Sequence, residues 1–315
     1  IRVSASNRPF QFKNAEGEWT MGYGTYQVLT HNQSLSSEAL YATLSELAKI
    51  SGVDIYSADS GLMSDVDFGS PAFKALEQPK VAMLVGRGVG IPESGEIWFL
   101  LDKRFQMRPV LIEDPSLTSK DLKEYNVIIL ANGVPSLTES TVSALKEWTA
   151  AGGVLIATGK ASTWVSKQGL IALKTKESML EKADTLSVYD SFANKTEAKA
   201  GKTIKGVMLN CHLDKTHPLA WGLDQDEIAV IKTNNLIFEK DKNPYVSPLY
   251  YTKKPHLSGF LSADNEKLLK EEPAVMVKPY KGGKVIVFAD DMNFRSYFFG
   301  TSKLFMNALF YNKCM

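Results

Sequence analysis

The sequence predicts an α/β fold in which a mostly parallel sheet is covered by helices on both faces. Three observations predict it. From Lys80 onward, short apolar runs alternate with amphipathic stretches, at 81–85, 109–112, 127–131 and 154–157. The runs are continuous rather than alternating, as strands buried on both faces must be. Glycine follows most of them, at Gly86, Gly133 and Gly159, where the chain has to turn into a helix.

The first thirty residues read as β-structure: 2–6 alternates, 9–12 follows, and Asn14, Ala15, Glu16 and Gly17 supply a turn before 23–29. An amphipathic helix comes next, with Leu40, Leu44, Leu47 and Ala48 on one stripe, Ser36 or Ser37 as its cap and Gly52 as its stop. A short strand is expected at 53–56. The stretch 59–79 is rich in Gly, Ser, Asp and Pro and reads as a connection. The expected organisation is therefore a small α/β segment over 1–79 and a larger domain over 80–315.

In the larger domain, a helix over 95–105 should turn Ile97, Leu100, Leu101 and Phe105 inward. Ser136 and Glu139 have capping-box spacing ahead of a helix carrying Val142, Leu145 and Trp148, which Gly152 and Gly153 end. Residues 174–205 are polar and Lys-rich, a peripheral excursion, and 227–261 alternates as antiparallel strands do. Order returns with strands at 274–277 and 284–289 and a final helix burying Leu304, Phe305, Ala308 and Leu309.

Composition excludes several functions. With 36 Lys+Arg against 35 Asp+Glu, the net charge of +1 gives nucleic acid no electrostatic foothold. No apolar run is long enough to span a bilayer. The two cysteines, Cys211 and Cys314, leave the redox compartment open. The chain starts at Ile1 with neither an initiator Met nor a signal-peptide pattern, which suggests a processed chain or an excised fragment.

In open α/β sheets, ligands sit beyond the carboxyl ends of the strands. Those ends carry Gly86-Arg87-Gly88-Val89-Gly90, Asn132, Lys160, Asp291 and Arg295. These five side chains (Arg87, Asn132, Lys160, Asp291 and Arg295) are the candidate ligand-binding set. Three cations near helix N-termini would suit a small anion. The glycines depart from the dinucleotide fingerprint, and a tight turn also explains them. At 290–295, Asp290 and Asp291 form either a carboxylate pair for acid–base work or, with Asp291 capping a turn and Arg295 paired to a carboxylate, a brace.

The exit of the fourth strand resembles the nucleophile elbow of class I glutamine amidotransferases, but Lys160 or Ala161 stands where the thiol should be. Ser162 reads as a helix cap, or as a shifted nucleophile with no histidine to activate it. Cys211 is the other cryptic nucleophile. Histidines occur at His31, His212, His217 and His256, with no H-E-x-x-H spacing. Cys211, His212, Asp214 and His217 are the only local cluster of ligand types, and Pro218 places them toward a loop. No metal or cofactor is assigned to this chain.

The segments Gly95-Glu96-Ile97-Trp98-Phe99-Leu100-Leu101-Asp102, Leu145-Lys146-Glu147-Trp148 with Gly152-Gly153, His217-Pro218-Leu219, and Asn293-Phe294-Arg295 through Gly300-Thr301-Ser302-Lys303-Leu304-Phe305 are similar to one architecture. Gly22-Tyr23-Gly24-Thr25 and Ser60-Gly61-Leu62 extend the match upstream. Together they resemble the C-terminal amidotransferase-like region of bacterial zinc carboxypeptidases of the carboxypeptidase A type. The resemblance implies a class I glutamine amidotransferase-like, flavodoxin-like fold and an accessory role beside a peptidase domain of the same polypeptide. It also implies an exported, periplasmic or extracellular location. The zinc site of that family uses H-x-x-E and a later His in the peptidase domain, and no position here matches it.

Overall fold

The computed structural model describes residues 1–63, 66–113, 116–176, 191–195 and 200–315. The chain divides into two compact units, one of 1–78 with 310–315 and one of 79–309. The boundary follows the connection read from composition, but the last six residues go with the first unit rather than with the larger domain.

The first unit contains strands β1 (Ser4–Ser6), β2 (Phe10–Asn14), β3 (Gly17–Met21), β4 (Tyr26–Gln27) and β5 (Phe73–Ala75) and helix α1 (Ser37–Ser51). β1 lies between β4 and β5, and β2 and β3 form a hairpin. The hairpin turn is fixed by Asn14, whose Oδ1 accepts from the N–H groups of Glu16 and Gly17 and from Trp19 Nε1. The Ser36 side chain caps α1 and Gly52, at φ 67°, ends it. The expected apolar stripe is not buried as a unit: only Leu40 is, and Leu47 is 48% exposed. Residues 53–56 are not a strand, and part of the supposed connection, β5, pairs with β1. Tyr311 and Lys313 tie the C-terminus into this unit, the Tyr311 hydroxyl lying 2.7 Å from that of Tyr26 and Lys313 Nζ 3.4 Å from Glu77.

The second unit is built on a nine-stranded sheet. Its parallel part contains β6 (Val81–Leu84), β7 (Val110–Ile112), β8 (Val127–Leu130), β9 (Val154–Thr158) and β14 (Gly283–Phe288). Their spatial order is β14-β9-β8-β6-β7, all parallel. Numbered by sequence this is 2-1-3-4-5, the flavodoxin-like order. It is the α/β architecture expected of a class I glutamine amidotransferase-like domain. Strands β10 (Val207–Leu213), β11 (Glu227–Lys232), β12 (Leu249–Ser258) and β13 (Pro273–Tyr280) extend one edge as antiparallel neighbours.

Every residue of β6, β8 and β9 is buried, as their continuous apolar runs require. On one face, Ala82, Leu84, Ile128, Leu130, Leu155, Val285 and Val287 pack with Val142, Leu145 and Trp148 of α4 (Glu139–Ala150) and with Trp164 and Val165 of α5 (Lys160–Lys167). Residues of the other parity, including Met83, Ile129, Ile156 and Phe288, are buried too. There the Phe288 ring lies 5.8 Å from Phe305 of the last helix, α7 (Phe299–Phe310). Thr138, not Ser136, caps α4 through Thr141 N–H. The expected helix over 95–105 begins earlier, as α2 (Ile91–Trp98), and ends in a π-helical turn (Phe99–Arg104). That wider turn leaves Phe105 outside, 47% exposed. Most of the Lys-rich excursion at 174–205 lies outside the described residues.

Lys232, at the end of β11, and Asp290, after β14, form an ion pair of 2.9 Å with both side chains fully buried. Tyr251 of β12 donates its hydroxyl to the other Asp290 oxygen at 2.7 Å, and Asn234 Nδ2 donates to the Ala289 carbonyl at 3.0 Å. This cluster joins the antiparallel extension to the last parallel strand. Losing one partner strands a buried charge, so Lys232→Met should destabilise the protein by about 3–5 kcal/mol. The double variant Lys232→Met/Asp290→Leu should recover part of that loss. Urea unfolding of the two variants checks both outcomes.

Candidate functional site

The carboxyl ends of β6, β8, β9 and β14 meet at one end of the sheet, and the topological switch point lies between β6 and β8. The two loops there are joined by main-chain bonds. Gly90 N–H donates to the Asn132 carbonyl at 2.6 Å, Val134 N–H to Gly88 at 2.7 Å and Ser136 N–H to Arg87 at 3.1 Å. A Cβ on Gly88 would overlap the Val134 carbonyl, and one on Gly133 would overlap the Gly88 carbonyl. The glycine cluster therefore serves the close approach of one loop to its neighbour, a tighter constraint than the single turn that the sequence suggests.

Gly159 sits at the sharp turn between β9 and α5, with φ 54° and ψ −128°. This is the place where a nucleophile elbow presents its side chain, so the missing group belongs at Gly159 rather than at Lys160 or Ala161. A Cβ here would overlap Asn132 Oδ1. Asn132 fills the space: its Oδ1 accepts from Lys160 N–H at 2.9 Å and its Nδ2 donates to Glu93 Oε1 at 2.7 Å. The helix start is thus capped from the neighbouring loop. Ser162, expected as the cap, is fully buried, and its hydroxyl lies 3.1 Å from the Ala157 carbonyl and 3.3 Å from that of Phe288. It locks the turn and has no path to a substrate.

Asp290 and Asp291 do not form a pair. Asp290 belongs to the buried cluster with Lys232, while Asp291 Oδ1 accepts from Asn293 N–H at 3.0 Å, the turn cap that the sequence allows. Arg295 braces the loop with its backbone: its N–H donates to Glu96 Oε1 at 2.8 Å, and its guanidinium lies 5.1 Å from the Phe294 ring. Arg295 (φ 48°) and Ser296 (φ 57°) are consecutive left-handed residues, a strained arrangement for side chains of this size. Arg104 holds it, donating to the Ser296 carbonyl and stacking 4.4 Å from the Phe299 ring.

Glu96 and Asp291 are the electrostatic focus of the site. With both ionised, Glu96 Oε2 is buried without a donor. With Asp291 protonated, its hydroxyl can bond Glu96, and burial together with Glu96 raises the Asp291 pKa to about 8. Glu93 adds further negative charge. The sequence expected Arg87, Lys160 and Arg295 to gather for an anion, but the structure gathers Glu93, Glu96 and Asp291. It brings Asn132 beside the backbone of Lys160, and Asp291 near the backbone of Arg295. Arg87 lines a separate cavity that none of the other four touches. Glu93, Glu96 and Arg104 carry no motif of their own. The i,i+3 spacing of the two glutamates on one helix face was their only sequence signal.

Elsewhere, Cys211 and His212 fall on opposite sides of β10, as strand alternation requires. Cys211 is fully buried, and burial pushes its thiol well up, with the Asp290 charge adding to the effect. The His212 ring packs 5.0 Å from Tyr250. His217 Nδ1 accepts from Leu219 N–H at 3.2 Å, and burial lowers its pKa to about 4. Among the described residues no three His, Cys, Asp or Glu side chains are grouped to hold a metal, and the two cysteines form no disulfide. No described helix is long and apolar enough to cross a membrane.

No protein-family model matches this chain, and no curated protein does. Among solved structures it is similar to a ThuA-like protein from Bacteroides uniformis, at 16% identity over 76% of this chain and 94% of the other, with a TM-score of 0.43. A ThuA-like protein from Parabacteroides merdae is 15% identical over 73% and 89%, with a TM-score of 0.47. A chain of PurLQS from Thermotoga maritima is 14% identical over 74% and 98%, with a TM-score of 0.48. Nothing about binding or catalysis follows from likenesses of this size.

Two outcomes are expected at this site. Gly159→Ala combines a positive φ with a clash against Asn132 and should cost about 1–3 kcal/mol of stability, read by urea unfolding. The stability that Asp291 contributes should be fully present below about pH 4, fall as the pH rises, and be gone above about pH 8. The slope should not exceed about 1.4 kcal/mol per pH unit, the limit for one proton, and partial exposure reduces it. Asp291→Asn, which keeps the Asn293 bond and donates to Glu96 at every pH, should flatten that part of the stability profile.

Proposed function

We propose that this chain is a noncatalytic accessory domain of an exported bacterial zinc carboxypeptidase, with the zinc site in a peptidase domain outside this chain. The observation that carries the noncatalytic part is the turn at Gly159, where the elbow has no side chain and Asn132 occupies the space. The two alternative nucleophiles do not rescue it. Ser162 and Cys211 are both fully buried, neither has a histidine partner, and the Cys211 thiol is held in its neutral form. The link to a carboxypeptidase rests on the ordered segments at 95–102, 145–153, 217–219 and 293–305. In the structure several of these are packing elements: Asn307 Nδ2, for example, donates to the carbonyls of Leu219 and Trp221 and fixes the turn that begins at His217. A domain that orients a peptidase needs such rigid surfaces and no chemistry of its own.

Neither glutamine hydrolysis nor release of C-terminal residues from peptides should rise above the blank for this chain. Turnover abolished by Ser162→Ala or Cys211→Ala would overturn the noncatalytic reading. The carboxypeptidase link is tested by the rest of the coding sequence, which should contain H-x-x-E and a later His. A complete reading frame without them would sink that assignment.

A further inference from the structure

A cavity of about 360 Å³ opens beside the carboxyl ends of β6 and β7, against the start of α4. Leu84, Val85, Pro135 and Leu137 give it an apolar lining, and Arg87 and Glu113 supply one charge of each sign. The volume is within the range of small-molecule sites, and the place is next to the switch point where α/β sheets bind ligands. It is a different place from the turn at Gly159, which does not line it.

The two charges are deployed rather than spent. Among the described residues, Arg87 and Glu113 make no ion pair with each other or with any other group, although they line one small cavity. Both positions are built by their surroundings. The Glu113 side chain lies across Gly86, where any Cβ would collide with its Cγ, so the glycine at φ 96° makes room for the carboxylate. The Arg87 backbone is held by the main-chain bond from Ser136 to its carbonyl and by the joined loops on either side, and its side chain is exposed. An apolar lining that carries one exposed cation and one exposed anion is complementary to a molecule with a carboxylate, an ammonium near it and a hydrocarbon body.

We infer that this cavity binds a small zwitterion, of the class of a free α-amino acid with an apolar side chain. Arg87 takes its carboxylate as a charge-assisted hydrogen bond, Glu113 takes its ammonium, and Leu84, Val85 and Leu137 cover the side chain. The inference does not depend on the accessory-domain reading, because it uses none of the residues at the Gly159 turn.

The test is binding of L-leucine, N-acetyl-L-leucine and L-leucinamide to the whole chain, measured by isothermal titration and by melting temperature up to about 10 mM ligand. Leucine should bind and raise the melting temperature, while the acetylated and amidated forms, each lacking one charge, should bind at least about tenfold more weakly. Arg87→Gln should weaken leucine binding by roughly 10- to 100-fold, and Glu113→Gln should do the same. Unliganded melting temperatures of the variants will establish that both are folded. No leucine binding at all, equal binding of the three ligands, or leucine binding untouched by either substitution would each overturn the inference.

Discussion

The buried contact between Lys232 and Asp290 is the constraint on which the larger unit depends. A flavodoxin-like sheet ends at its fifth strand, and its edge needs a cover or a partner. Here four antiparallel strands extend it, and a purely apolar seam could hold them in more than one register. A fully buried ammonium has few places where its charge can be matched. It fixes the end of β11 against the exit of β14, and the Tyr251 hydroxyl completes the carboxylate. Cys211 packs close enough to feel the same charges and stays a thiol. The chemistry of that cysteine is thus decided by the device that aligns the strands.

The same economy governs the residue that follows Asp290. Asp290 and Asp291 are neighbours in sequence with opposite assignments, one ionised and paired in the core, the other near Glu96 with its pKa raised to about 8. Both follow the end of β14, where Asp290 takes Lys232 and Tyr251 as partners and Asp291 takes the Asn293 N–H. The loop that follows is held by Glu96 through a backbone N–H and by Arg104 through a carbonyl. The π-helical turn after α2 is where Arg104 arises, so an irregularity in one helix supports the strained loop that contacts it.

The core was legible in the sequence wherever one local pattern decided it. The runs at 81–84, 127–130 and 154–157 are apolar without interruption because both their faces are covered, and α7 buries the four residues that its spacing indicates. What was not legible depended on distant partners. Lys232 looks like an ordinary exposed residue of an alternating strand, and its partner is 58 positions away. The role of Gly159 follows from Asn132, in the loop after another strand, and from a backbone conformation that no residue pattern records. Leu44 and Leu47 have helical spacing, yet spacing alone does not supply a surface for α1 to pack on. Among the candidate site residues, types and strand ends were predictable, but side-chain directions were not. That is why a set of cations was expected where carboxylates stand.

The return of Tyr311 and Lys313 to the first unit has a consequence for assembly. A ribosome releases 1–78 long before 310–315, with the whole second unit made in between. The hydroxyl contact with Tyr26 and the ion pair with Glu77 therefore close last. Until then the first unit is an unfinished structure. The opening segment of this chain is thus completed only after everything between has been synthesised.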